Sequence, residues 1–146
     1  MTSRDHQSVS SDDLERLVGQ FISRTLPKAG WTHEAHLRVG LWHVLNHGAD
    51  DALRLLRDRI RGYNESVGTA NTDTSGYHET ITKFYVLVTE RFLSESDRLM
   101  PIENLAVALV AHYGDRGLPL NYYSRERLFS VTARKSWVEP DLQTIR

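Results

Sequence analysis

His33, His36, Gly40, His43 and His47 follow one another at intervals of three and four, so at about 100° per residue they fall within about 80° of a helical wheel. Four imidazoles then form one stripe, next to Leu37 and Val44 and turned away from Glu34 and Arg38. Gly40 costs such a helix about 1 kcal/mol relative to Ala and leaves a gap between His36 and His43 in which a small group could sit. At about 1.5 Å rise per residue, His36 and His43 stand about 10 Å apart along the axis, too far to share an ion, whereas His33 and His36 are about one turn apart. His33 and His36 are therefore the better chelating pair. His78 and Glu79 open a second amphipathic stretch beside Thr82 and Tyr85. Two imidazoles with one carboxylate suit Fe(II), and three imidazoles with a water suit zinc. The expected site is one divalent ion, Fe(II) or zinc, held by His36, His78 and either His33 or Glu79. His43 and Tyr85 are expected to act as proton-handling groups beside it. Glu34, Glu79, Glu90 and Glu103 supply none of the Glu-x-x-His pairs that a di-iron bundle uses.

The same residues have plainer readings. A histidine on an amphipathic helix is commonly a satisfied core or surface residue; His47, beside Gly48, suits the negative end of a helix dipole. His6 and His112 carry nothing beyond structure. In the run Asn71 to Gly76, Asp73, Thr74 or Ser75 can cap the following helix. The functional alternative has Thr74 and Ser75 binding an anionic substrate group at that helix end, with Arg125 of the C-terminal tail closing over it.

The elements that must position these groups read as helices. Leu14, Leu17, Val18, Phe21 and Ile22 recur at helical spacing behind Asp12 and Glu15, placed as cap and capping-box partner. Thr32 is the expected cap of a second helix that runs to about Gly48. A third begins at Asp50 and Asp51 and carries Leu53, Leu56, Ile60 and Tyr63. After a polar loop of thirteen residues, 64–76, a fourth spans about Tyr77 to Leu93. A fifth, about Ile102 to Tyr113, is apolar almost all round and reads as central. The tail from Gly114 holds a short helix opened by Ser124, with Trp137 as anchor. Residues 1–11 read as a disordered arm, and 12–146 as one helical domain. The fold class expected is all-α, a bundle of four to five helices with a partly irregular C-terminal tail.

Composition narrows the function further. The 146 residues carry 18 Lys and Arg against 19 Asp and Glu, a net charge of -1, without the basic excess that nucleic-acid binding uses. There is no cysteine, so any metal must be held by His, Asp or Glu. No apolar run approaches a membrane span, and the N-terminus has no signal-peptide core; the expectation is a cytoplasmic protein. P-loop, GxGxxG and GxSxG motifs are absent, which sets aside nucleotide hydrolysis, a Rossmann cofactor and familiar serine hydrolysis.

The blocks WTHEAHL at Trp31 to Leu37 and NTDTSGYHETIT at Asn71 to Thr82, with the later SRERLFS and ARKSWVEPDL, resemble a family of small bacterial helical proteins. The resemblance runs from Leu26 onward and draws attention to His33, His36, His78 and Glu79, but it brings no activity with it. In architecture alone the chain is similar to metal-binding bundles of the DinB type, whose histidine spacing is not found here. The resulting expectation is a mononuclear metalloenzyme acting on a small anionic substrate, with a homodimer as a further possibility. The other class is a non-enzymatic helical module that binds a ligand or partner, its histidines forming a buried polar network.

Overall fold

The computed structural model describes residues 11–145, and among them every regular element is helical. Five helices form the body: α1 (Ser11–Ser23), α2 (His33–His47), α3 (Ala49–Ser66), α4 (Glu79–Ser94) and α5 (Ile102–Tyr113). Two short helices, α6 (Arg125–Leu128) and α7 (Val131–Lys135), follow in the tail, and single 3-10 turns lie at Lys28–Gly30 and Leu118–Asn121. The all-α expectation thus holds. Of the arm read at 1–11 only Ser11 is described, as the first residue of α1; the remainder, including His6, lies outside the described residues. No helix among the described residues is long and apolar enough to cross a membrane.

The central element is α2, which touches α1, α3, α4 and α5. Its buried residues Ala35, Leu37, Val39, Leu41, His43 and Val44 lie on several sides of the helix, because neighbours surround it. The Thr32 side chain caps it by accepting from the Ala35 amide, and Gly48 ends it at φ 80°, in the left-handed region that suits glycine. The expectation of a central fifth helix is corrected: α5 packs against α2 and α1 at the edge of the bundle, buries Leu105, Ala106 and Leu109, and leaves Val107 56% exposed. An apolar sequence all round showed that the helix had apolar residues to spare, not where it sat.

The polar loop is shorter than the sequence suggests, since α3 continues to Ser66. Asn71 organises what remains. Its Oδ1 accepts from the Asn64 side chain at 3.1 Å and the Tyr77 amide at 3.0 Å, while its Nδ2 donates to the Arg61 carbonyl at 3.0 Å. Gly76, at φ 81°, passes so close that a Cβ would stand 2.5 Å from the Ala70 carbonyl oxygen. The loop delivers the chain to α4, whose first residue, Glu79, lies two residues inside the sequence-based boundary at Tyr77.

Tail and body meet in a second apolar cluster of Phe84, Val88, Tyr123 and Leu128. Trp137 stands edge-on to Tyr123 at 6.2 Å and so anchors the tail as expected.

Candidate functional site

The four residues Tyr77 to Thr80 make a clasp. His78 is itself the N-cap of α4: its Nδ1 accepts from the Ile81 amide at 3.1 Å, and its Nε2 donates to the Leu128 carbonyl at 2.8 Å. Burial holds this ring below its ordinary pKa, against the pull of the Leu128 bond, so the neutral tautomer with the proton on Nε2 fits both partners. Glu79 is gripped by Arg57 of α3 through two bonds of 2.9 and 2.7 Å and by the Tyr77 hydroxyl at 2.8 Å. Burial pushes its carboxyl up, but the bonds from Arg57 and Tyr77 outweigh this and leave it below its usual value. Thr80 donates to the Ser136 carbonyl and accepts from the Val138 amide, and Arg134 donates to the Gly76 and Tyr77 carbonyls. The clasp thereby fastens the start of α4 to α3 on one side and to the tail on the other.

This bears directly on the expected ligand set. His78 has both ring nitrogens bonded within the protein, and Glu79 has both carboxylate oxygens bonded. No three His, Cys, Asp or Glu side chains among the described residues converge as a metal-holding group. His33, His36, His78 and Glu79 are thus not brought together. A helical wheel carries no information about cross-chain partners, and His78, read as part of the apolar face of the fourth helix, is instead the extended N-cap that precedes it. The capping role read for Asp73, Thr74 or Ser75 is corrected too, since His78 is the cap. Thr74 and Ser75 are exposed on a small turn closed by a bridge between Thr72 and Ser75. Arg125 is exposed, with its guanidinium 5.3 Å from the Phe129 ring.

The other half of the histidine stripe has a different character. Trp31, His33, His36, Leu37 and Gly40 on the α2 side, Leu56 and Ile60 from α3, and Ile81, Thr82, Tyr85, Val86 and Thr89 from α4 enclose a cavity of about 110 Å³. Two buried polar atoms on its lining, His33 Nε2 and Tyr85 Oη, have no hydrogen-bond partner among the described residues, and the two rings stand edge to face at 5.5 Å. The third such atom, Glu103 Oε2 in the first turn of α5, does not line it. Buried polar atoms are nearly always paired, and an orphan costs roughly 1–3 kcal/mol; both belong to lining residues, but the two atoms themselves are covered by protein. Gly40 keeps the space open: a Cβ there would meet no atom within 4 Å.

Local structure holds the imidazoles in defined states. His36 bonds the Thr32 carbonyl through Nδ1 at 2.6 Å, which places the proton on Nδ1 and leaves Nε2 with its lone pair. Its ring stacks on Trp31 at 3.8 Å, and Trp31 stacks on Phe21 of α1 at 4.6 Å. One side of His36 is open to solvent, but the protein packed around the rest of the ring lowers its pKa against the Thr32 bond. Burial also lowers His33, with Arg116 pulling the same way and Asp115 opposing. Both imidazoles are neutral at pH 7. Burial pushes the Tyr85 hydroxyl well above its ordinary range, so it remains a phenol. The cavity is thus bordered by neutral imidazoles and a phenol, with no charged side chain in its lining.

His43 lies outside the cavity. Its ring is fully buried, bonding the Val39 carbonyl through Nδ1 at 2.8 Å and accepting at Nε2 from Arg59 at 2.8 Å. The lining residues Trp31, Ile81 and Thr82 were not singled out by the sequence reading, although all three fall within the two blocks it quoted. The Arg57 partnership with Glu79 had no sequence signal, because it spans 22 positions and Arg57 reads as a solvent-facing residue of α3.

On the side towards the 67–78 loop, the wall formed by Trp31, His36, Ile60, Ile81 and Thr82 also borders a more open cleft of about 420 Å³, completed by Asn64, Thr69, Gly76, Tyr77 and His78. No family model, curated protein or solved structure matches the chain, so the functional reading rests on this geometry.

Proposed function

We propose that the protein binds a small molecule in the largely apolar cavity between α2, α3 and α4. The observation that carries this is one largely apolar space between three helices, bordered by the His36 ring, the usual make-up of a ligand pocket. The open Gly40 position supports it, because a helix gives up stability there while the cavity keeps its volume. The test is an NMR screen of small aromatic and aliphatic compounds against the labelled full chain. Saturable shifts at Ile81, Thr82 and Tyr85 that vanish in Gly40→Leu are the expected result; no saturable shift from any compound overturns the reading.

A second reading keeps the metal. Two observations favour it: the Thr32 carbonyl fixes His36 in the tautomer that metal-bound histidines commonly adopt, and His33 Nε2 is unpaired one turn away. On this reading two imidazoles hold a divalent ion, Fe(II) or zinc, and its other positions take water or substrate, with hydrolysis or oxidation as the chemistry supplied. Elemental analysis of untagged protein, purified without chelator and with iron kept reduced, tests it. Near-stoichiometric metal that is lost in His36→Ala and kept in His78→Ala supports it; no metal after anaerobic reconstitution overturns it.

A further inference from the structure

A separate hollow of about 110 Å³ lies where Arg61 of α3, the turn at Asn71 to Asp73, Tyr77 and the end of α7 meet, and it shares no lining residue with the inner cavity. Two of the sequence blocks, NTDTSGYHETIT and ARKSWVEPDL, converge in it. Its walls bring Arg61, Arg134 and Lys135 together against one acid, Asp73, in a chain whose net charge is -1. Glu65, which accepts from Asn71 Nδ2 at 3.4 Å, stands outside the lining. The three cations are committed to different degrees. Arg134 is pinned, its Nη1 donating to the Gly76 and Tyr77 carbonyls at 2.9 and 3.3 Å, while its Nε and Nη2 have no partner among the described residues. The Arg61 guanidinium rests 5.9 Å from the centre of the Tyr77 ring and makes no hydrogen bond or ion pair among the described residues. Lys135 Nζ stands 3.2 Å from Asp73 Oδ1, but the two side chains are 63% and 61% exposed, and so open a pair contributes little. Lys135 can therefore turn to another anion at small cost. Thr72 Oγ1 accepts from the Thr74 amide at 3.3 Å, which leaves its hydroxyl hydrogen free to donate. Arg61, Thr72, Asp73 and Lys135 are all exposed, so their polar groups are within reach of a solute.

We propose that this hollow binds a phosphate group, free or carried on a small molecule, with Arg61, Arg134 and Lys135 supplying the charge and Thr72 a hydrogen bond. Near neutral pH such a group approaches a dianion and so balances the lining, where three cations face one acid; a monoanion does not. Guanidinium forks suit its oxygens, and one of them is already held in position by the loop carbonyls. The sequence points to Thr74, Ser75 and Arg125 for an anionic group, and none of the three lines this hollow. The experiment follows the isotope-labelled full chain by NMR at neutral pH and constant ionic strength, with inorganic phosphate, glycerol phosphate and acetate as probes. Phosphate is expected to give saturable shifts at Asn71, Thr72 and Lys135 and to bind about tenfold more tightly than acetate. Arg61→Ala and Lys135→Ala should each weaken it about fivefold. Asp73→Asn, which removes the competing carboxylate, should tighten it about threefold, a gain that a merely structural role for these side chains would not produce. Glycerol phosphate binding as tightly as phosphate supports a phosphorylated small molecule as the ligand, and binding of inorganic phosphate alone supports the free ion. No saturable shift from either phosphate compound, acetate equalling phosphate, or an affinity unmoved by Arg61→Ala and Asp73→Asn overturns the proposal. None of these outcomes touches the reading of the inner cavity, whose own screen reports at Ile81, Thr82 and Tyr85.

Discussion

The clasp at Tyr77 to Thr80 and the cavity around His33 and Tyr85 draw on the same inventory of imidazole and phenol groups, yet they differ in how their polar atoms are employed. In the clasp His78, Glu79 and the Thr80 hydroxyl are bonded to protein partners in α3, α4 or the tail, and the result is attachment. Beside the cavity His33 Nε2 and Tyr85 Oη have no partner among the described residues, and the result is two buried polar groups that carry a cost and fasten nothing. Side-chain type in a suggestive spacing is thus a poor guide to function until the partners are known. Satisfied groups lose stability when removed; unsatisfied ones restore it.

The largest expected effect falls on His43, which shares α2 with the cavity but is bonded like the clasp. Burial holds it at about 4, with the Val39 carbonyl opposing and Arg59 contributing. Its unfolded-state value is higher, near 6.5, so the unfolded chain takes up the proton first as pH falls. The stability this ring provides is complete above about pH 6.5 and is lost progressively towards pH 4, on the order of 3 kcal/mol in all. Urea denaturation at stepped pH should show that slope, to which the lowered His33, His36 and His78 also contribute, and His43→Gln should make it shallower; an unchanged slope in the variant would mean that the other groups carry it. Glu79→Ala should cost about 2 kcal/mol, less than a fully buried pair, because the Arg57 side chain is 40% exposed. Loss of less than about 0.5 kcal/mol in denaturant melts would erase the contrast from the clasp side. Tyr85→Phe should leave stability unchanged or raise it by about 1 kcal/mol, since it deletes a buried orphan hydroxyl while keeping the ring. A clear loss in the same measurement would show that Tyr85 is a structural group after all.

Much of the fold was legible because it depends on local chemistry. Thr32 and Gly48 bracket α2 where expected, Ile102–Tyr113 emerges with the boundaries read from its apolar run, and Ser124 opens α6. The boundary of α4 was missed because a histidine cap is less common than Asp, Thr or Ser, and those residues stood just upstream. Within the candidate site, the Gly40 gap was visible as a cost in propensity with no local return. The pairing of His33 with Tyr85 was not, for it depends on how α2 and α4 pack, and the same packing hands His78 and Glu79 to partners 50 and 22 residues away. Periodicity assigns a residue to a face; it does not say what stands opposite.

The attachment of the clasp to the tail also bears on the order in which the molecule is made. Tyr77 and His78 border the open cleft, yet they are held by Leu128 and Arg134, fifty or more positions later in the chain. During synthesis from the N-terminus, α1 to α4 can assemble and enclose the inner cavity while the rim of the cleft still lacks its support. The cleft acquires its final shape only when residues 128–138 have left the ribosome and docked, so a nascent chain has its interior before its outer cleft is finished.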